Sequence, residues 1–379
     1  MNMQQVGLIT YHSPYNYGSV LQAYATQRAF RSLTGVEPEI VDYRPTEGDN
    51  YYRKLYFRHQ GPKAILADLT MLPVQGKRER RAERFESFID DDMGKTPKVY
   101  KEPDELGELA DRYDVVISGS DQIFNKHSNE MDRLGWEYIK PYTLAWSNAR
   151  KVSYGSSPSS MTDDDIRKIA PDLLKFDRLS AREDDACERL GRLLGKPITN
   201  VCDPTLLLTG DQWSGIEKPY GSGLPEEYIF FYSLKRPRPC MRDSFPRLRE
   251  LSKRTGLPVA VVTPLGGYVP PSKELVNCLD AGPLEFLSLA RGARGVITDS
   301  YHGTLFSLNF KRPFWTVEKA ATDSRKQRIL EKLGMRGRIV ESIDHIDFRD
   351  VDIDWDGVNE RLGAFRQQSF DYITSLGIN

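Results

Sequence analysis

Short apolar runs that end in polar, glycine-bearing loops recur along this chain, and most are followed by a stretch with apolar residues at helical spacing. Val6–Thr10 runs into YHSPYNYGS, Val20–Leu33 (VLQAYATQRAFRSL) has a helical period, and Glu39–Asp42 offers a second strand. Strand, loop, helix, strand is the βαβ pattern. In such a unit the loop lies at the carboxyl end of the strand, where open α/β sheets bind ligands. The form returns at Asp114–Asn125 (DVVISGSDQIFN), at 151–160 (KVSYGSSPSS) and at 178–183 (RLSARE), with helices predicted over 162–175 and 184–194. VCDPTLLL (201–208) follows, and KPYGSGLPEE (218–227) has the composition of a linker.

A second series begins there. EYIFFYSLK (227–235) predicts a buried strand ending in a basic loop, 242–254 a helix, LPVAVVT (257–263) a strand and PLEFLSLARGA (283–293) a helix. Residues 293–315 predict strand, tight loop, helix, strand, and the chain closes on an amphipathic helix from about Val358 to Leu376. The predicted fold class is therefore α/β: two doubly wound units facing a cleft, 1–215 and 216–355, with a last helix (356–379) that crosses back.

Residues from 47 to about 100 differ from this pattern. Between Arg53 and Arg84 there are nine basic residues against three acidic, interleaved with Leu55, Tyr56, Phe57, Ile65 and Leu66. This predicts a helical insertion with a basic face. Such a face is either solvated or docks on an anionic membrane, where each Lys or Arg contributes roughly 1 kcal/mol.

Composition narrows the classes. The chain has 379 residues, 53 Lys+Arg against 54 Asp+Glu, and a net charge near −1, which gives no global basic signature for nucleic acid. No apolar run approaches the roughly 18–20 residues of a membrane span, and MNMQQVGLIT lacks the charged leader of a signal peptide. A cytoplasmic location is expected, with contact at the inner face of the plasma membrane if the basic segment docks. Cys187, Cys202, Cys240 and Cys278 are far apart, so neither a zinc site nor a disulfide framework is expected.

Chemistry concentrates in four loops. In Asp299-Ser300-Tyr301-His302-Gly303-Thr304, Ser300 is placed as an N-cap and the amides from Tyr301 to Thr304 open a helix. Helix starts attract anions, Gly303 would let a ligand approach the backbone, and His302 suits a phosphate partner or proton carrier. The alternative is a capped helix start with a partly exposed histidine. Arg182 at a strand end suits phosphate or carboxylate. Glu183 beside it would fix the guanidinium or act as an acid, and the alternative is a local ion pair. In Gly119–Asn125, Ser120, Asp121, Gln122 and Asn125 are the short polar groups that sugar hydroxyls need, with Asp121 a candidate base. They also suit an Asx-capped turn. Asn16-Tyr17-Gly18-Ser19 is a similar loop without the dinucleotide fingerprint. His12 and His127 lie nearby with no spacing that makes either catalytic. Lys235, Arg236 and Arg238, or Arg325 and Arg328, line an anion site or are solvated.

These residues carry a resemblance. GLITYHSPYNYGSVLQAYA, VDYRP, DVVISGSDQIFN, SYGSS, LSARE, VCDPTLLL with Trp213, and GVITDSYHGTLFSLNFKRPF together resemble the polysaccharide pyruvyl transferase family over about 7 to 315. The resemblance implies a fold similar to GT-B-type glycosyltransferases, with the acceptor on the first unit and the donor phosphate on the second. It implies phosphoenolpyruvate as donor, no other cofactor and no metal. The acceptor would be a sugar hydroxyl pair, free or polyprenyl-diphosphate-linked, and the product a cyclic pyruvate ketal. Arg182 and His302 match the family's donor-site arginine and histidine. The residue two before His302 is Ser300 where the family has arginine, so Lys235 or Arg325 would supply that charge. Two rival functions remain: a glycosyltransferase using a nucleotide sugar, whose diphosphate the same loop would bind, and a catalytically silent glycan-binding relative.

Overall fold

The computed structural model describes residues 4–47, 72–221, 223–234, 240–263, 269–318, 324–349 and 351–379. Twelve strands are assigned among them: β1 Val6–Ile9, β2 Glu39–Ile40, β3 Val115–Ser118, β4 Arg150–Ser153, β5 Leu179–Ala181, β6 Ile198–Asn200, β7 Ile229–Tyr232, β8 Val259–Val262, β9 Leu275–Asn277, β10 Gly295–Thr298, β11 Phe314–Val317 and β12 Ile339–Val340. The α-helices are α1 Tyr17–Thr34, α2 Gln75–Asp91, α3 Asp163–Leu173, α4 Asp184–Leu194, α5 Gly210–Ser214, α6 Cys240–Thr255, α7 Pro283–Gly292, α8 Tyr301–Asn309, α9 Ser324–Lys332 and α10 Trp355–Ser375.

Every strand pair is parallel. The first sheet has the order β2-β1-β3-β4. The β5-β6 pair continues it, joined by the Val152–Arg178 bridge and a hydrogen bond from Ser153 N to Arg178 O. The second sheet has the order β12-β11-β10-β7-β8-β9. Both orders reverse direction once, between β1 and β3 and between β7 and β10. At such a switch point the neighbouring crossovers leave on opposite faces, so a crevice opens beyond the carboxyl ends of the strands.

The central strands β1, β3, β7, β8 and β10 are largely apolar and buried because helices cover both faces. Val6, Leu8, Val115, Ile117, Phe230 and Val296 are all buried in one core that spans the two sheets. Tyr17 of α1 stacks on Phe286 of α7 at 4.5 Å, Trp213 meets Phe306 at 5.2 Å, and the Tyr17 hydroxyl donates to Ala281 O at 2.6 Å. Truncating a fully buried aromatic of this kind typically costs about 3–5 kcal/mol. Helix α10 returns to the first sheet, where the Tyr372 hydroxyl donates to Ser153 O at 2.8 Å and Ser369 Oγ accepts from Cys202 N at 2.9 Å. Among the described residues no helix is long and apolar enough to cross a membrane.

Local chemistry sets the element ends. Helix α1 starts at Tyr17 and not at Val20, because Asn16 caps it by accepting from Gly18 N at 3.0 Å. It stops at Gly35, whose φ of 78° is left-handed. Thr162 and Asp165 form a capping box at the start of α3.

The insertion differs from expectation. Within the described residues its α-helix is α2, preceded by a 3-10 turn at Leu72–Val74, and the stretch from Gly94 to Tyr100 lies along β2 without helix. Ile40 N donates to Gly94 O, Thr96 N to Ile40 O, and Tyr100 N to Asp42 O, each within 2.9 Å. The open edge of β2 thus takes a backbone partner where the sequence predicts helix. Several cationic residues of α2 are tied to the second sheet, although Arg80 stays largely exposed. Lys77, Arg80 and Arg84 surround Asp280 at 3.3, 3.2 and 3.7 Å, and Arg81 Nη1 donates to Thr263 O at 2.8 Å. This part of the basic segment is a strap between the two sheets and not a free cationic face. Residues 53–71 lie outside the described residues.

Candidate functional site

Ser300 has an extended backbone, and its Oγ accepts from Gly303 N at 3.3 Å as the N-cap of α8. The cap leaves the Tyr301 and His302 amides as helix-start donors without an intrahelical partner. The loop itself is tied down. Asp299 accepts from Ser233 Oγ at 2.5 Å and from Leu234 N at 2.7 Å, and Lys326 Nζ donates to Asp299 O at 2.8 Å. Gly303 does not open the backbone to a ligand as expected. A Cβ there would stand 2.4 Å from Thr298 Oγ1 and 3.0 Å from the Tyr232 ring, so the glycine is needed for internal packing. Thr304 is likewise buried, its hydroxyl bonded to Ser300 O at 3.1 Å and Thr316 Oγ1 at 2.9 Å.

Opposite this turn stands Arg182, at the carboxyl end of β5, its side chain 0% exposed. Its Nη1 donates to Asp203 at 2.7 Å, its Nη2 to Asp121 at 3.1 Å and its Nε to Glu183 at 3.1 Å. The three carboxylates come from three different strand ends. Asp121 follows β3 at a φ of 80°, a left-handed position that costs a non-glycine residue about 1–3 kcal/mol. Its other oxygen accepts from Ser19 Oγ of α1 at 3.0 Å. Asp203 follows β6 and also accepts from Thr205 N at 3.0 Å and Thr205 Oγ1 at 2.7 Å.

The two halves of the site meet at His302 and Tyr301. His302 Nε2 lies 3.5 Å from Asp203 Oδ2, an ion-pair distance too long for a good hydrogen bond, and it has no hydrogen-bond partner although buried. Glu183 Oε2 is buried and unpartnered in the same way. The Tyr301 ring lies 5.1 Å from the Arg182 guanidinium and 5.4 Å from that of Arg325. His302 also packs on the start of α1: a Cβ at Gly18 would stand 2.0 Å from its Nδ1. Gly18→Ala is therefore expected to displace the imidazole. Turnover should fall at least tenfold with little change in melting temperature, and full turnover in this variant would refute the contact's importance.

Burial works against ionisation of Asp203, but His302, then Arg182 and Thr205, hold its carboxyl well below the usual range. For Asp121 burial is likewise opposed by Arg182, His302 and Arg325, and the net direction is down. Both folded-state values lie below the unfolded-state value of about 3.9. Their stabilisation is complete above that value and lost as the pH falls through the folded values. The melting temperature is expected to be level from pH 7 to about 5 and to fall below about 4. A rise on acidification across that range would contradict the assignment.

The other expected residues divide. Asn16 caps α1 and is half-buried at the site's rim. Tyr17 is a core anchor whose hydroxyl is bonded to Ala281 O, with burial pushing it up to about 12, so it does not offer a hydroxyl to a sugar. Ser120 is fully buried, bonded to Gly155 O at 3.2 Å, and faces inward. Gln122 Oε1 accepts from Asn125 Nδ2 at 2.9 Å, so these two hold each other beside Asp121. Lys235 lies outside the described residues. His12 is wholly buried against Asp42 at 2.9 Å, and His127 pairs with Asp165 at 3.1 Å on the surface. Asp203 is the residue that loop reading passed over. Its Asp-Pro step after an apolar run signals a cap, and only the folded chain turns its second oxygen toward Arg182 and His302.

The model of the polysaccharide pyruvyl transferase family matches residues 16–318, which takes in all four loops. No curated protein matches the sequence. Solved structures share the fold. A UDP-GlcNAc 2-epimerase from Methanocaldococcus jannaschii, in complex with UDP-GlcNAc and UDP, is 12% identical with a TM-score of 0.52, covering 99% of each chain. Another UDP-N-acetylglucosamine 2-epimerase is 10% identical with a TM-score of 0.55, covering 100% of this chain and 98% of that one. One from Rickettsia bellii is 10% identical with a TM-score of 0.50, covering 99% and 98%. At such identities the likeness is one of fold: two doubly wound parallel sheets in the GT-B arrangement.

Proposed function

This chain belongs to the polysaccharide pyruvyl transferase family, and on that premise we propose that it moves pyruvate from phosphoenolpyruvate to two hydroxyls of a sugar. The sugar belongs to a bacterial glycan or its lipid-linked precursor, and the product is a cyclic ketal. The observation that carries the reading is the meeting of strand ends from the first half of the chain with the loop after β10 of the second sheet. Asp121, Arg182, Glu183 and Asp203 from the first sheet's strand ends converge on Tyr301 and His302 from the second's.

The reaction needs an acid, a base and a place for a leaving anion. An acid delivers a proton to the donor's methylene carbon, and C2 becomes oxocarbenium-like. The first sugar oxygen bonds to C2 while a base takes its proton. The C2–O bond to phosphate then breaks, and the second hydroxyl oxygen closes on C2 as its proton passes to the departing phosphate. One phosphate is released per ketal, with no oxidant or reductant consumed. Preorganised dipoles suit such charge migration because they need not reorient as the reaction proceeds. The open amides at Tyr301 and His302 suit the phosphate. His302 has its unpartnered Nε2 free to deliver a proton or to meet the leaving group. Glu183 has an unpartnered oxygen free to accept from a hydroxyl, and Asp121 is the other candidate base.

The test is to incubate the protein with phosphoenolpyruvate and a panel of nitrophenyl and polyprenyl-linked hexosides. Phosphate should appear together with a mass gain of one pyruvate less one water on a single acceptor. Thermal protection by a nucleotide sugar and not by phosphoenolpyruvate, with no phosphate released, would overturn the reading in favour of glycosyl transfer.

A further inference from the structure

His302 and Asn309 stand at i and i+7 of α8, so they share one side of the helix, two turns apart. Against that side lies the turn that follows β6. At its start Asp203 Oδ2 stands 3.5 Å from His302 Nε2, and two residues on Thr205 O accepts from Asn309 Nδ2 at 2.7 Å. The same carbonyl accepts from Trp213 Nε1 at 3.0 Å, and a Cβ at Gly210 would stand 2.4 Å from Asn309 O. One short turn of the first half therefore meets the helix of the second half at both of its ends.

The turn is itself held by α10. Ser369 Oγ accepts from Cys202 N at 2.9 Å, just before Asp203, and Arg366 Nε donates to Leu206 O, just after Thr205. Arg366 and Ser369 stand at i and i+3 of α10, so one face of that helix clamps the turn from both sides. Arg366 reaches further, its Nη2 donating to Asn309 Oδ1 at 2.7 Å. That bond settles which way the amide faces. With its oxygen on the guanidinium, Asn309 presents Nδ2 to Thr205 O, where only a donor fits. Arg366 is half-buried and pairs with no carboxylate among the described residues, and burial pulls it below its ordinary value. A guanidinium taken out of water without a counter-ion is a cost that packing alone does not explain.

We infer that Asn309 and Arg366 are positioning residues: through the 202–206 turn they set α8 so that the His302 imidazole faces Asp203, which makes the last helix of the chain part of the site. The inference rests on the role proposed above for His302. Nε2 has no hydrogen bond of its own, so its place depends on where the helix carries the ring. A misplacement of about 1 Å can cost about 100-fold in rate even when its cause lies far from the chemistry. Arg366 lies beyond residue 318, where the family match ends.

The experiment compares wild type with Asn309→Ala, Arg366→Ala, Arg366→Lys and the control Leu173→Ala. The control removes buried apolar contacts of α3 in a different core, so it lowers the melting temperature without touching α8. Donor Kd is measured by calorimetry with phosphoenolpyruvate, and kcat by pyruvyl transfer. The rate at which diethyl pyrocarbonate modifies His302 is followed by peptide mass. In Asn309→Ala and Arg366→Ala, kcat should fall by about 10- to 100-fold with little change in donor Kd. The His302 modification rate should shift several-fold in the same two variants and stay as in wild type in Leu173→Ala. Arg366→Lys should fall between, because an ammonium does not donate in two fixed directions. A kcat or a His302 modification rate that stays as in wild type in Asn309→Ala and Arg366→Ala overturns the inference and leaves pyruvyl transfer standing. So do equal losses in Leu173→Ala. A wild type that transfers no pyruvate overturns the functional reading, and the His302 modification rate then decides the inference by itself.

Discussion

Arg182→Ala is expected to be the most destabilising change at the site. It leaves Asp121, Glu183 and Asp203 buried and facing one another with no guanidinium between them. Removing one partner of a buried ion pair costs about 3–5 kcal/mol, because the remaining charges lose their compensation while staying out of water. Here there are three such charges, and one of them, Asp121, also holds a strained backbone. Denaturant unfolding at pH 7 measures the loss. The same measurement near pH 3 should show a smaller difference between variant and wild type, since protonated carboxyls no longer repel. Arg182→Lys should recover only part of the stability: an ammonium is a point charge and cannot donate in three fixed directions to groups on separate strand ends. A stability loss under about 1 kcal/mol would show that the carboxylates are not held by this residue.

The second large effect is on rate. His302→Gln keeps the packing against Gly18 but removes the titrating ring, and kcat is expected to fall by about 10²- to 10⁴-fold, the usual range for a general acid. Melting temperature should fall only modestly, through the loss of the imidazole's attraction to Asp203, because Nε2 has no hydrogen bond to lose. Asp203→Asn tests the pairing from the other side. It removes the carboxylate that faces Nε2 at 3.5 Å, and kcat should fall with it. Undiminished kcat in His302→Gln would remove this residue from the chemistry.

The two effects separate what Arg182 and His302 do, although both stood out equally in the sequence. Each follows an apolar strand, and that position alone marks a loop at the ligand-binding edge of a parallel sheet. The strand–loop–helix alternation was legible because period two and period 3.6 leave different apolar spacings, and because Ser300 is a cap residue by type. Reading failed where a backbone partner decided the matter. Residues 94–100 carry no strand signal strong enough to show that the edge of β2 would recruit them. It failed again at the paired cations of α2. Lys77, Arg80 and Arg84 have the composition of a solvated or membrane-facing helix, and only Asp280, about 200 residues away, explains them.

Chain order by itself determined that this protein is a doubly wound α/β fold with its polar loops at strand ends, since apolar periodicity and caps are local properties that each segment carries with it. What those loops do to one another was decided by tertiary structure alone. Asp121, Arg182, Asp203 and His302 are separated by tens of residues or more, and their charges acquire meaning only when the sheets bring them within a few ångströms in a place water does not reach. There a guanidinium that looked like a phosphate ligand is surrounded by carboxylates, because buried charge of one sign draws the other sign around it before it can serve a substrate.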